Sequence, residues 1–135
     1  MNIYLDIDGV LLINDKQAAP HADEFLNAVL SKFPDSTYWL TTHNWQGENR
    51  AKEVLAPHLQ ADTVILLDNI KPSEWGELKT DAINFEEDFL WFDDDLWPDE
   101  LDVLEDNYAS HRFVMVDLNK DPEQLKKLTE LIKSL

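Results

Sequence analysis

Short apolar runs alternate along the chain with segments whose apolar residues recur at helical spacing. The apolar runs have the length of buried strands, and the other segments have the period of helices that bury one face. This alternation favours an α/β fold, in which helices cover both faces of a mainly parallel sheet in three Rossmann-like layers. Strands are predicted over Asn2–Asp8, Ser36–Thr41, Thr63–Leu67, Phe89–Asp93 and Arg112–Asp117, and helices over Pro20–Phe33, Gly47–Ala56 and the tail after Asn119.

The 135 residues contain no repeat, low-complexity segment or linker. A chain of this length suits one hydrophobic core, so we predict a single domain over residues 1–135. No apolar run approaches the roughly 20 residues of a membrane span, and the first residues lack the basic start of a signal peptide. We therefore expect a cytoplasmic protein with no membrane partner.

The charge balance is strongly acidic, with 28 Asp and Glu against 11 Lys and Arg, and the chain has no cysteine. Thiolate metal sites and disulfides are thereby excluded. A net charge of −17 repels nucleic-acid backbones and counts against extended nucleic-acid binding. A nucleic-acid end or another phosphate remains open as a partner, because a cation can reverse the field inside a cleft.

Two carboxylates, Asp6 and Asp8, close the first strand and precede Gly9 in "LDIDGVLL". The side chains of residues two positions apart on a strand lie on the same face of the sheet. A substrate that both carboxylates contact lies beyond the end of the strand, so both side chains must turn towards that one point. The backbone must therefore leave strand geometry over residues 7–9, and glycine permits this.

Polar side chains also follow the other strands. Ligand sites of open parallel sheets lie beyond the carboxyl ends of the strands, so these side chains are expected in one cleft. Clustered carboxylates need a compensating cation, and oxygen ligands without cysteine or histidine suit Mg²⁺. The candidates are Asp6 and Asp8, Thr41 and Thr42, Asp93 and Asp94, and a lysine, either Lys71 or Lys79.

The order "LDIDGVLL", "YWLTTHN", a lysine and "FLWFDDD" resembles the haloacid dehalogenase-like (HAD) superfamily of phosphotransfer enzymes. More narrowly, the segment around Lys79 is similar to small HAD domains, some of them in bacterial RNA-repair proteins. The resemblance implies a Mg²⁺-dependent phosphatase that works through an aspartyl-phosphate. It also implies a five-stranded sheet in the order 3-2-1-4-5.

The resemblance implies a role for each motif residue. Asp6 would be the nucleophile, and Asp8 would protonate the leaving group and then activate water. Thr41, with Thr42 beside it, would bind phosphoryl oxygens. Mg²⁺ would be held by Asp6, the Asp8 carbonyl and Asp94, which we prefer to Asp93.

The lysine has two candidates. Lys71 precedes Pro72 and so lies at a turn, whereas Lys79 precedes an amphipathic run that could dock on the sheet. An ammonium among carboxylates needs a rigid position, and we therefore prefer Lys79.

The chain between the motifs has room for a short flap over Val10–Ala19 and a helix, but for no cap domain. The cleft is therefore predicted to be open and suited to a nucleotide, a nucleic-acid end or another bulky phosphate. Tryptophans near strand ends (Trp45, Trp75, Trp97) could line it or pack, and His43 could contact substrate. The acids after the fourth strand are expected on a solvated face: Asp95, Asp99, Glu100, Asp102, Glu105 and Asp106.

Two other functions fit parts of the pattern. A phospho-receiver domain has a similar sheet, acids, a threonine and a lysine, but its phosphorylated aspartate ends the third strand, and here the double aspartate comes later. A catalytically silent HAD fold could serve as a binding module, although every motif residue type is present.

Overall fold

A parallel sheet of four strands forms the centre of the protein, in a computed structural model that describes residues 1–14 and 16–135. Its strands are β1 (Asn2–Leu5), β4 (Thr37–Trp39), β5 (Phe89–Asp93) and β6 (Phe113–Met115). They lie in the order β4-β1-β5-β6, and all pairs are parallel. The predicted α/β class is confirmed, with β1 inside the sheet.

Helices cover both faces of this sheet, as the strand sequences require. In β1, Ile3 and Leu5 belong to one core cluster and Tyr4 to another, so both faces of the strand are buried. Helices α1 (Ala22–Lys32) and α5 (Gln124–Ser134) pack on the first cluster. Helix α4 (Pro98–Asp106) packs on the second through Leu104.

The third predicted strand, Thr63–Leu67, is wrong, so the order 3-2-1-4-5 loses its first member, while the other four strands lie in the predicted order 2-1-4-5. This segment forms helix α3 (Ala61–Leu66) and continues as a 3-10 turn. The buried side chains are Thr63, Leu67 and Ile70, which is helical spacing, while Ile65 is 68% exposed. Tertiary packing thus overrides the strand preference of "TVILL".

The outer position of the missing strand is taken by one residue. Lys71 forms an isolated parallel bridge with Tyr38. Its N–H donates to the Thr37 carbonyl at 3.0 Å, and its carbonyl accepts from the Trp39 N–H at 2.8 Å. Backbone pairing beyond β4 therefore shrinks to this bridge.

The remaining elements are short. A hairpin of β2 (Leu12–Ile13) and β3 (Gln17–Ala18) lies within the range of the predicted flap, Val10–Ala19. Asp15, which is also in the predicted range, lies outside the described residues. The helix predicted over Gly47–Ala56 is confined to α2 (Ala51–Leu55), since Gly47 has a left-handed φ of 84°. Over the described residues, no helix is both long and apolar enough to span a membrane.

Candidate active site

Asp6 and Asp93 lie side by side where two neighbouring strands end. The N–H of Asp6 donates to the carbonyl of Phe92 at 3.1 Å, which continues the pairing of β1 with β5 by one residue. The side chains of Asp6 and Asp93 are only 9% and 2% exposed. The register of the sheet therefore buries two like charges together at its carboxyl edge.

The backbone turns sharply after Asp6, as the sequence predicts. The Ile7 carbonyl accepts the N–H groups of Val10, Leu11 and Leu12 at 2.8–3.1 Å, and Gly9 has a φ of 78°. A side chain at Gly9 would meet the Asp94 carboxylate, because an ideal Cβ there lies 2.2 Å from its Oδ2. The turn therefore brings the Asp8–Gly9 backbone against Asp94.

Three carboxylates meet at this edge and could hold a metal ion. Asp6, Asp93 and Asp94 each offer an oxygen, and the three oxygens lie within 4.8 Å of one another. Oxygen-only donors match a hard divalent cation such as Mg²⁺. The structure brings both Asp93 and Asp94 into this cluster, so it does not separate the two candidates by position.

Lys79 supplies the positive charge of the cluster. It opens a 3-10 turn over Lys79–Ala82, and its Nζ lies 2.7 Å from Asp93 Oδ2 and 3.4 Å from Asp6 Oδ2. The Lys79 side chain is 14% exposed. Lys71, in contrast, donates from Nζ to the Asp35 carbonyl at 2.7 Å, before β4 begins, at the opposite end of the sheet. Geometry thus places Lys79 in the cluster and leaves Lys71 outside it.

Burial and crowding shift the proton equilibria of these groups. Desolvation, followed by the charge of Asp6, raises the pKa of Asp93 to about 9 despite the nearby Lys79. Desolvation also raises the pKa of Asp94. For Lys79, burial lowers the pKa, but the charges of Asp6 and Asp93 outweigh it and the net pKa is raised. The carboxylates exceed the one ammonium, and a divalent cation would restore the balance.

Glu100 is the residue that sequence reasoning missed. It was expected on a solvated face, but it is 5% exposed and lines the cleft. Its Oε2 accepts the N–H of Lys79 and its Oε1 accepts the N–H of Trp97, both at 3.0 Å. The signal was present, because Pro98 at the first helical position followed by a glutamate is typical of a capped helix start. Glu100 fixes the backbone that carries Lys79.

The two threonines after β4 have different surroundings. Thr41 is fully buried, and its Oγ accepts the N–H of His43 at 3.3 Å. Thr42 is exposed and lines the cleft. Over the described residues the cleft lining includes Thr42 but not Thr41.

Asp8 lies at the cleft wall and bonds with a histidine. Its Oδ2 lies 2.9 Å from His43 Nε2, and both side chains are partly exposed. The pair joins the turn after β1 to the turn after β4. His43 therefore contacts the second motif carboxylate, a position that the sequence did not specify.

These residues surround one cavity of about 400 Å³. This volume falls within the roughly 300–1,000 Å³ of small-molecule sites. Its lining combines the carboxylates, Lys79 and Thr42 with three aromatic rings, those of Trp45, Trp75 and Trp97. The tryptophans near strand ends thus line the cleft.

Comparison of the chain with protein-family models, with curated proteins and with solved structures finds no match. The geometry of the cleft is therefore the structural basis for the function proposed below.

Proposed function

We propose that this protein is a Mg²⁺-dependent phosphatase that hydrolyses phosphomonoesters through an aspartyl-phosphate, as its resemblance to the HAD superfamily implies. One observation carries the proposal: Asp6, Asp93, Asp94 and Lys79 converge at the carboxyl edge of the sheet. Phosphoryl transfer requires an oxygen nucleophile together with positively charged groups that contact the oxygens of the transferred phosphoryl group. This arrangement supplies both.

Asp6 is the nucleophile in this proposal. A carboxylate oxygen of Asp6 forms a bond to phosphorus as the bond from phosphorus to the ester oxygen breaks. Asp8 gives its proton to the departing oxygen, which leaves as an alcohol. Asp8 then takes a proton from water as the water oxygen attacks phosphorus, which releases phosphate and restores the Asp6 carboxylate.

Neighbouring groups orient and neutralise these reactants. Lys79 offsets the charge of Asp6 before attack and that of the phosphoryl oxygens afterwards. Thr42, which lines the cleft, is better placed than Thr41 to donate to a phosphoryl oxygen. His43 holds the Asp8 carboxylate through the 2.9 Å contact.

The carboxylate cluster fits the cation that such an enzyme uses. Asp6, Asp94 and the Asp8 carbonyl would hold Mg²⁺, with Asp93 as the further candidate ligand. When bound, the ion would supply positive charge for the phosphoryl oxygens. Desolvation, followed by the charge of Asp6, raises the pKa of Asp93, and desolvation raises the pKa of Asp94. Both carboxylates are thus disfavoured in their ionised form, and a bound divalent cation would favour that form, which supports this assignment.

We propose that the cleft works without a cap domain. Between Asp8 and Thr41 the described residues form the β2–β3 hairpin, α1 and β4, and between Thr41 and Lys79 they form short helices and turns. An unroofed cleft admits a large leaving group.

The direct test is Asp6→Asn, assayed with an aryl phosphate and Mg²⁺. The amide is nearly isosteric but a far poorer nucleophile, so we expect turnover to fall at least about 1,000-fold while the circular dichroism spectrum is retained. Asp106→Asn, at the exposed end of α4, is the matched control. Wild-type rates in Asp6→Asn, or undiminished wild-type rates after removal of Mg²⁺, would reject the proposal.

A further inference from the structure

The aromatic part of the cleft has no role in the chemistry proposed above. Trp45 follows β4, Trp75 lies in the segment before Lys79, and Trp97 follows β5. Because β1 lies between β4 and β5, Trp45 and Trp97 follow the two strands that flank the strand of Asp6. All three rings line the cavity that contains Asp6. A bare phosphate would leave this apolar surface uncovered.

Trp45 and Trp75 form a wall that is held in place. Their rings stack with centroids 5.6 Å apart and planes 29° apart. The indole N–H of Trp45 donates to the Gly76 carbonyl at 2.8 Å, which ties the ring to the neighbouring segment. Trp45 is 37% exposed, so the pair keeps an accessible aromatic surface. A flat aromatic group can stack on such a wall with little loss of side-chain freedom.

The charges around the wall limit how many phosphates a ligand carries. Besides the cluster of Asp6, Asp93 and Asp94, the acidic residues Glu77, Asp95 and Glu100 line the cavity. Lys79 is the cation among the described lining residues. The chain as a whole has a net charge of −17. A second phosphate away from Lys79 would meet only negative charge, and a nucleic-acid strand would be repelled along its length.

From these observations we infer that the substrate is a nucleoside monophosphate, whose base stacks on the Trp45–Trp75 wall while its single phosphate contacts Asp6 and Lys79, which line the same cavity. The inference rests on the proposed phosphatase function and specifies its substrate class. The same aromatic surface could accept the terminal base of an oligonucleotide, and the experiment below separates the two.

The test compares substrates that share a phosphate ester and differ in the base. Adenosine 5′-monophosphate and ribose 5-phosphate both carry phosphate on the ribose C5 oxygen. We expect kcat/KM to be higher for the nucleotide by about 5- to 150-fold, the range that stacking of one base provides. A 5′-phosphorylated oligonucleotide should be a poorer substrate than the mononucleotide. Equal kcat/KM for nucleotide and ribose phosphate, or preference for the oligonucleotide, would overturn the inference.

Variants then locate the base. Trp45→Leu and Trp75→Leu should bring the nucleotide-to-ribose-phosphate ratio towards one, and Trp75→Phe should retain most of it. Phenylalanine keeps a ring face, and the Trp75 indole N–H has no hydrogen-bond partner among the described residues. Tyr108→Leu, an aromatic substitution at a residue that is 90% exposed and does not line the cavity, is the control. A fall in the ratio confined to Trp97→Leu would overturn the assignment to this wall.

A binding measurement separates this inference from the proposed function. If wild-type protein hydrolyses none of the phosphates, the phosphatase proposal fails, and calorimetry with Mg²⁺ decides the base site. Tighter binding of adenosine 5′-monophosphate than of ribose 5-phosphate, with the difference lost in Trp45→Leu, would support the site. Equal affinities, or no binding of the nucleotide, would overturn it.

Discussion

The two ends of the sheet each carry an ion pair that joins neighbouring segments, and their surroundings are opposite. At the amino end, Arg112 Nη2 lies 2.9 Å from Asp88 Oδ1, and the aspartate side chain is 70% exposed. At the carboxyl end, Lys79 lies 2.7 Å from Asp93, whose side chain is 2% exposed. The two pairs therefore have similar distances, but the aspartate of the amino-end pair is exposed to water, whereas the aspartate of the carboxyl-end pair is buried in a medium of low dielectric constant.

This difference is the one expected between an ion pair that only joins two segments and a charged cluster that carries the proposed function. A solvated pair contributes little to stability. A buried cluster costs desolvation energy, and at the carboxyl end the carboxylates also outnumber the ammonium. A fold gains no stability from such a cluster, which is why strongly shifted groups in a cleft indicate a functional site.

Exchanging lysine for methionine at each end gives the largest expected contrast. Lys79→Met removes the charge beside the nucleophile while keeping most of the stem, and we expect phosphatase turnover to fall by about 100-fold or more. Lys71→Met, at the amino end, should keep turnover within about twofold of wild type, because its Nζ donates to the Asp35 carbonyl and lies over the Tyr38 ring, far from the carboxylate cluster. Steady-state rates on an aryl phosphate measure both, and the reverse order would assign the role to Lys71.

Removal of a cluster carboxylate should affect metal binding next most strongly. Asp94→Ala deletes one of the three converging oxygens, so we expect Mg²⁺ affinity to weaken at least about tenfold in calorimetry. Asp95→Ala removes the adjacent carboxylate, which lies outside that cluster, and should cause a much smaller loss. Equal losses in the two variants would indicate an unspecific effect of charge.

The pH dependence of stability should also distinguish the two ends. Because its pKa is raised to about 9, Asp93 holds more proton in the folded chain than in the unfolded chain between about pH 4 and pH 9. In that window, without Mg²⁺, its contribution to stability is lost as pH rises, with a slope of up to about 1.4 kcal/mol per pH unit.

Urea unfolding at about pH 5 and about pH 8 measures this slope. Asp93→Asn should flatten it, because the amide does not titrate. Saturating Mg²⁺ should flatten it as well, since a bound cation favours the ionised carboxylates. Asp88→Asn at the amino end is the control and should leave the slope as in wild type. An unchanged slope in Asp93→Asn would show that Asp93 titrates normally.

The smallest effect is expected from the solvated pair itself. Arg112→Met should lower the free energy of unfolding by no more than about 1 kcal/mol, because the aspartate is exposed and the aliphatic part of the side chain can still cover Phe89. Urea denaturation measures this, and high salt should reduce the difference between variant and wild type. A loss of several kcal/mol would contradict the expectation that the Arg112–Asp88 pair contributes little to stability.

The sequence predicted the parts of the molecule in which local pattern and burial agree. β5 begins and ends at the predicted residues, Phe89 and Asp93, because a run of buried apolar residues stops at an acidic one. The positions of Asp6 and Asp94 follow from strand ends that meet at one edge, whereas Lys79 opens a 3-10 turn that brings it to the same edge. The strand predicted over Thr63–Leu67 failed because a run of four apolar residues after a threonine fits a strand or a helix equally well, and packing decided.

The remaining misses concern contacts between distant segments. Glu100 looked like one more acid in an acidic stretch, and its burial depends on the Lys79 backbone, 21 residues earlier in the chain. Pairing across such separations is invisible to local periodicity.

At Gly9, in the turn after β1, the set of tolerated substitutions should differ between selection for a folded protein and selection for activity. Any side chain at position 9 must displace the Asp94 carboxylate, which lies 2.2 Å from where a Cβ would stand, and must also adopt a φ of 78°. Asp94 can swing into solvent, so many substitutions would still give folded chains. The swing, however, takes Asp94 away from Asp6 and Asp93. In a saturation library, a screen for expression should therefore recover several residues at position 9, whereas a screen for turnover should recover almost only glycine.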